Sequence, residues 1–197
     1  KDMDTYRPPV LPEPEEIAGR VAAREALLKV LALLDLAADG AAGGQVNLLG
    51  LPPEDRQLIN QVMGEGEASA LVRASGSPLE LRIQESVFAG VWRIMSFNAG
   101  VLVDDAIEVG PVPVQLRTVA DEDAETVYRP WQGPLPPNVQ NAPLLVEEIR
   151  DQVARWQPGQ TAHVVNLTLL PVTPEDIGYL DHQLGTGRVL MLSRGYG

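Results

Sequence analysis

Between Glu15 and Ala38 the apolar residues Ile17, Val21, Ala23, Leu27, Leu28, Leu31, Leu34 and Leu36 recur at helical spacing, which predicts one helix over this stretch. Glu15 and Glu16 suit the positive end of its dipole, and Asp39-Gly40 ends it. Gln45 to Leu49 predicts a short strand. Pro53 opens a second helix, because a proline in the first turn loses no hydrogen bond, and Gly64 stops that helix after Met63. From Glu67 to Val109 the period changes to two. Leu79, Leu81 and Ile83 alternate with Glu80, Arg82 and Gln84, and Asn98-Ala99-Gly100 marks a hairpin turn before Val101 and Val103. The pattern is that of an antiparallel sheet with one wet face. A further helix from Pro143 to Trp156 carries Leu145, Ile149, Val153 and Trp156 on one stripe and stops at Pro158-Gly159. Val164 to Leu170 then predicts a strand.

Residues 1–14 are rich in proline and charge and read as a mobile arm, succeeded by a first α+β module over 15–120. Residues 121–141 carry four acidic side chains in their first five positions, then Pro130, Pro134, Pro136 and Pro137, the composition of a linker. Residues 142–197 repeat part of the first module. Gln45–Gly76 aligns without a gap on Asn166–Gly197 at an offset of 121 residues. Leu48/Leu169, Leu49/Leu170, Pro53/Pro174, Glu54/Glu175, Asp55/Asp176, Gly64/Gly185, Gly66/Gly187, Leu71/Leu192, Arg73/Arg194 and Gly76/Gly197 are identical, where unrelated stretches would share about two. The expected fold is therefore α+β, a duplicated helix-strand-helix-strand module with an antiparallel sheet. The second copy stops at Gly197 where the first runs on through Ser77–Val109, so it is expected to be incomplete. Its last strand would present an edge able to recruit another chain, including a second copy.

Composition narrows the function. With 27 Asp+Glu against 15 Lys+Arg, the net charge of −12 repels a phosphate backbone, so nucleic acid is not an expected partner. No apolar run reaches the roughly 20 residues of a membrane-crossing helix, and Lys1–Arg7 lacks the apolar core of a secretory signal, so cytoplasmic residence is expected. There is no cysteine, which leaves His163 and His182 as soft ligands; no metal and no cofactor are expected.

Gly64-Glu65-Gly66 and Gly185-Thr186-Gly187 invite a nucleotide-binding reading, and with it a nucleotide-dependent enzyme. Phosphate loops run from strand to helix, however, whereas here a helix enters and a strand leaves, so the glycines are read as helix stops and turns. Pro-Glu-Asp at 53–55 and 174–176 is read as helix capping rather than a catalytic carboxylate pair. His163 and His182 stand near no nucleophile elbow. Candidate protein-contact or structural positions are Gly64, Gly66, Arg73, Trp92, Gly185, Gly187, Ser193, Arg194, Gly195, Tyr196 and Gly197. Arg73 and Arg194 occupy the same place in each copy, as contacts or as partners of a nearby carboxylate. Trp131, in the linker, is the tryptophan whose burial would need a reason. A purely structural dimerisation module is a further reading.

Leu184-Gly185-Thr186-Gly187-Arg188-Val189, leading into Leu192-Ser193-Arg194-Gly195-Tyr196-Gly197, resembles the signature of the HupH/HyaF hydrogenase expression proteins. Pro53-Glu54-Asp55, Met63-Gly64-Glu65-Gly66-Glu67 and Val87-Phe88-Ala89-Gly90-Val91-Trp92-Arg93 fit that family's first half in order and spacing. The resemblance implies a non-catalytic accessory factor in the maturation of uptake [NiFe] hydrogenase. It further implies action on the immature iron–sulfur small subunit before export, alongside a thioredoxin-like partner. It supplies no catalytic residue. In many members the signature continues into an Asn-Cys and further strands.

Overall fold

The computed structural model describes residues 11–40, 43–73, 76–123 and 130–194, arranged in two compact units: the residues up to Asp123 together with those from Arg188 on, and the residues in between. Most of the arm expected over 1–14 lies outside the described residues, and Pro14 already begins helix α1, Pro14–Ala18. The single helix expected over 15–38 is interrupted. Glycine is a weak helix former, and at Gly19-Arg20 the chain leaves helical geometry (Arg20 φ −106°, ψ 64°) before α2 starts afresh over Val21–Ala38. The break frees the first amides of α2, and the Ala23 N–H donates to Asp55 Oδ1 at 2.8 Å.

Strand β1 (Gly44–Asn47) comes next, then α3 (Pro53–Met63), β2 (Ala68–Arg73), β3 (Leu79–Glu85), β4 (Val91–Asn98), β5 (Val101–Val109) and α4 (Val114–Asp123). The last strand, β6 (Val189–Ser193), returns to the sheet of the first unit, giving the order β1-β5-β4-β3-β2-β6 with every neighbouring pair antiparallel. The β4–β5 hairpin turns at Ala99-Gly100, both at positive φ (49° and 83°), the twist that suits a two-residue hairpin.

Alternation sends successive side chains to opposite faces. On one face Val46, Val91, Ile107 and Val109 pack under Ala23, Ala26 and Val30 of α2 and Leu58, Ile59 and Met63 of α3. On the other, Ala70, Val72, Ile83, Trp92 and Ile94 pack under Leu116 of α4. Helix α4 has no counterpart in the sequence pattern, because its apolar stripe is short and its end is acidic.

The second unit is built on α5 (Ala142–Arg155) and α6 (Pro174–Leu184), whose Leu145, Val146, Tyr179 and Leu180 form a small core with Trp131, Val139 and Val165 beside it. Starting residues of α2 and α5, α3 and α6, and β2 and β6 are all 121 apart. The strand expected over Val164–Leu170 is absent: the segment has no regular secondary structure, and Val164, Leu167 and Leu169 are exposed. Its counterpart β1 is a strand because β5 pairs with it (Val46↔Ile107); residues 164–170 meet no such partner among the described residues.

Candidate protein-contact site

Both Gly-x-Gly turns leave the C-terminal end of a helix. The Gly64 N–H donates to Asn60 O at 3.0 Å and the Gly185 N–H to Asp181 O at 2.9 Å, with φ of 57° and 72°, a left-handed conformation that favours glycine. Gly66 is needed for space. A Cβ there would sit 2.3 Å from Ser86 O, while its N–H bonds Glu85 O at 2.7 Å, which brings the turn hard against β3. Gly187 is exposed and leads into Arg188. Carbonyl oxygens crowd a helix C-terminus, so neither turn offers the amide cradle a phosphate requires.

Of the paired aspartates only Asp176 caps its own helix; α3 has no side-chain cap bond at Pro52, and Asp55 serves another helix instead. Asp55 is buried and accepts the Ala23 N–H at the start of α2. Asp176 forms a reciprocal cap with Thr173, and its Oδ1 also accepts the N–H groups of Gln140, Asn141 and Ala142 at 2.8–3.0 Å, clamping α6 to the start of α5. Burial on its own would raise the Asp176 pKa; the backbone donors Ala142, Thr173 and Gln140 and the Thr173 hydroxyl outweigh it, and hold the carboxyl at about 2.

Arg73 ends β2 and donates through Nε to Glu80 Oε2 at 2.7 Å; Arg82 reaches the other oxygen of Glu80 and lies over the Phe97 ring at 4.4 Å. Those bonds, from Arg82 first and then Arg73, lower the Glu80 pKa. Arg194 donates its backbone N–H to Glu67 O at 3.0 Å, and Ser193 pairs with Ala68 at the end of the β2–β6 ladder. Gly195, Tyr196 and Gly197 lie outside the described residues. Trp92 is buried under α4 and bonds Gly110 O at 2.9 Å. The sheet also holds buried charge: Arg93 forks onto Asp105 (Nη2–Oδ2 2.8 Å) and donates to Asn60 of α3 at 2.8 Å, while Glu108 accepts the Val114 N–H at the start of α4. These bonds fasten helices to the sheet.

Arg188 lies within the signature Leu184–Val189 but is not among the candidate positions read from the sequence. It comes straight after the second Gly-x-Gly turn and binds Glu122 at 2.7 Å and Asp123 at 2.8 Å, neutralising carboxylates that otherwise stand at the negative end of the α4 dipole. Its pKa is raised by Glu122 first and Asp123 second. The pairing spans 65 residues of chain, which no local pattern reveals.

In the second unit, Trp131 lies tilted against Tyr179, 5.3 Å between ring centres, and meets His182 edge-on at 5.1 Å, which explains its partial burial. Beside it opens a shallow cleft of about 230 Å³ lined by Pro130, Trp131, Gln132, His182 and Gln183. A partly exposed tryptophan of this kind is a typical anchor of protein interfaces. His163 pairs instead with Glu148 at 2.7 Å. Among the described residues no group of three His, Cys, Asp or Glu side chains is placed to hold a metal ion, and no helix is long and apolar enough to cross a membrane.

A family model described as the C-terminal conserved region of HupH hydrogenase expression protein matches residues 21–130 and 139–197. The chain belongs to the HupH family. It is 46 % identical over 198 residues to the hydrogenase expression/formation protein HoxQ of Cupriavidus necator, covering 99 % of this chain and 67 % of that protein. It is 43 % identical to HupH of Rhodobacter capsulatus over 95 % of this chain and 64 % of that one. The hydrogenase-1 operon protein HyaF of Escherichia coli is 32 % identical over 77 % and 52 %. The chain thus spans between about half and two thirds of the length of these three relatives. A solved structure, the hydrogenase expression protein HupH from Thiobacillus denitrificans, is similar at 23 % identity with a TM-score of 0.43, over 66 % of this chain and 96 % of that one. The HupH-matched stretches contain both Gly-x-Gly turns, Asp55, Asp176, Trp92 and Arg188.

Proposed function

We propose that this chain serves hydrogenase maturation as a non-catalytic assembly factor, holding the immature iron–sulfur small subunit of a [NiFe] uptake hydrogenase in the cytoplasm before export. The observation that carries the reading is the family match along most of the chain, with relatives named for hydrogenase expression and formation. The geometry supports it in two ways. The residues of the candidate turns are engaged in backbone geometry and ion pairs that shape the fold, and the Trp131 cleft has the composition of a protein-contact surface. A net charge of −12 favours a basic client segment such as an export signal, and a thioredoxin-like factor is the expected co-partner.

The test is capture of the small-subunit precursor by the purified protein across a salt series. Capture that weakens as salt rises is the expected result. Capture indifferent to salt removes the electrostatic part, and no capture at any salt removes the proposal.

A further inference from the structure

Helix α2 is apolar on two faces. Its 18 residues include four charged side chains, Arg24, Glu25, Lys29 and Asp35, and its buried Ala23, Ala26 and Val30 fill the face turned to the sheet. Residues seven or eleven apart lie on nearly one line of a helix, which defines a second stripe on the opposite side. Val21, Arg24, Leu28, Leu31, Asp35 and Ala38 make up that stripe, and all six are exposed. Leu28 and Leu31 at its centre are 53 % and 54 % exposed. A single surface leucine is ordinary, whereas two leucines and a valine along one line of a helix mark a contact face.

The six residues are spaced 3-4-3-4-3, the alternation of the seam positions in a coiled coil. The stripe also has the same chemistry in both directions. Val21 and Ala38, Arg24 and Asp35, and Leu28 and Leu31 are each centred on the point between Lys29 and Val30. A two-fold axis at that level, perpendicular to the helix, sets each member of a pair level with the other on a second copy. Leucine then meets leucine in the middle. About 8 Å to either side, at about 1.5 Å per residue, arginine meets aspartate.

Direction follows from charge. Neither Arg24 nor Asp35 is engaged in an ion pair among the described residues. A parallel pair of helices would set arginine on arginine and aspartate on aspartate, and like charges facing each other are repulsive. A client helix of one charge sign would satisfy one of the two residues and repel the other. A second copy, laid antiparallel, supplies both partners.

We propose that the outward face of α2 is a self-docking surface, on which two copies of this chain pair their α2 helices antiparallel. Leu28 and Leu31 form the centre, with Arg24 on the partner's Asp35 at both ends. The seam is about 27 Å long and smaller than the interface of an obligate dimer, so the pair forms and parts with concentration. The pairing is independent of the client assigned above.

Sedimentation equilibrium of the Lys1–Gly197 chain from about 5 to about 500 µM tests it, with the melting temperature of each variant as the check on folding. The parent chain should pass from monomer towards dimer across that range, and Leu28→Glu should stay monomeric. Arg24→Asp and Asp35→Arg should each weaken the dimer by at least about tenfold, because each sets like charges level across the seam. The double variant should recover it, since its charges are exchanged and still opposite. A parent chain that stays monomeric throughout overturns the proposal. So does a dimer indifferent to Leu28→Glu, which would place the contact elsewhere, at the β6 edge for example. Single variants that weaken the dimer without recovery in the double variant would overturn the antiparallel register. A monomeric chain that loses capture of the small-subunit precursor on Leu28→Glu would assign the face to the client instead.

Discussion

Single residues in this chain act through backbone geometry more than through reactive chemistry. Gly66 is the sharpest case, because the 2.3 Å approach of Ser86 O leaves no room for a methyl group. Gly66→Ala should lower stability by about 1–3 kcal/mol, measured as a shift of the urea midpoint, as the turn is pushed off β3; an unchanged midpoint would show that the turn yields freely. Asp176 makes a prediction through pH. Its carboxyl titrates at about 2 in the folded second unit against an ordinary 3.8, so the folded state favours the charged form. Its stabilisation is complete above pH 3.8 and is lost as pH falls towards 2. Melting of α5 and α6 should track that window as the pH is lowered through it, and Asp176→Asn should flatten the dependence. The sequence motif was legible as a capping site, and Thr173 does cap, but the reach of Asp176 to residues 140–142 was not, because those amides are about 35 residues away along the chain.

At the scale of elements, α3 and the β4–β5 turn were legible because their signals are local: a proline at the first helical turn, a glycine at the stop, two residues able to take positive φ. Elements that depend on remote partners were not. Val164–Leu170 has strand composition but no strand to pair with among the described residues, and α4 forms despite an acidic end because Arg188 arrives from the far side of the sequence. Arg188→Ala should therefore loosen the last turn of α4, with amides at 121–123 exchanging roughly tenfold faster. Rates indistinguishable from the parent protein would mean that packing by Leu116 alone holds the helix. Arg188→Lys should recover the charge but not both side-chain bonds, and so only part of the protection.

For the molecule as a whole, sheet assembly sets the design. The ungapped alignment carries ten identities, and the starts of three pairs of elements keep its spacing of 121 residues. The pairing partner of the last strand was not visible, since the same alternating residues serve equally well in a second sheet or at the edge of the first. In the structure β6 joins β2 of the first unit, with the repeat's own equivalents opposite each other. By itself the sequence determined the α+β class, the turn and stop positions, the acidic character and the family, because each is written in neighbouring residues or in composition. Tertiary structure alone decided the strand order, the reach of Asp176 and Arg188, and the fate of 164–170, because a hydrogen-bond ladder or an ion pair exists only once distant segments have met.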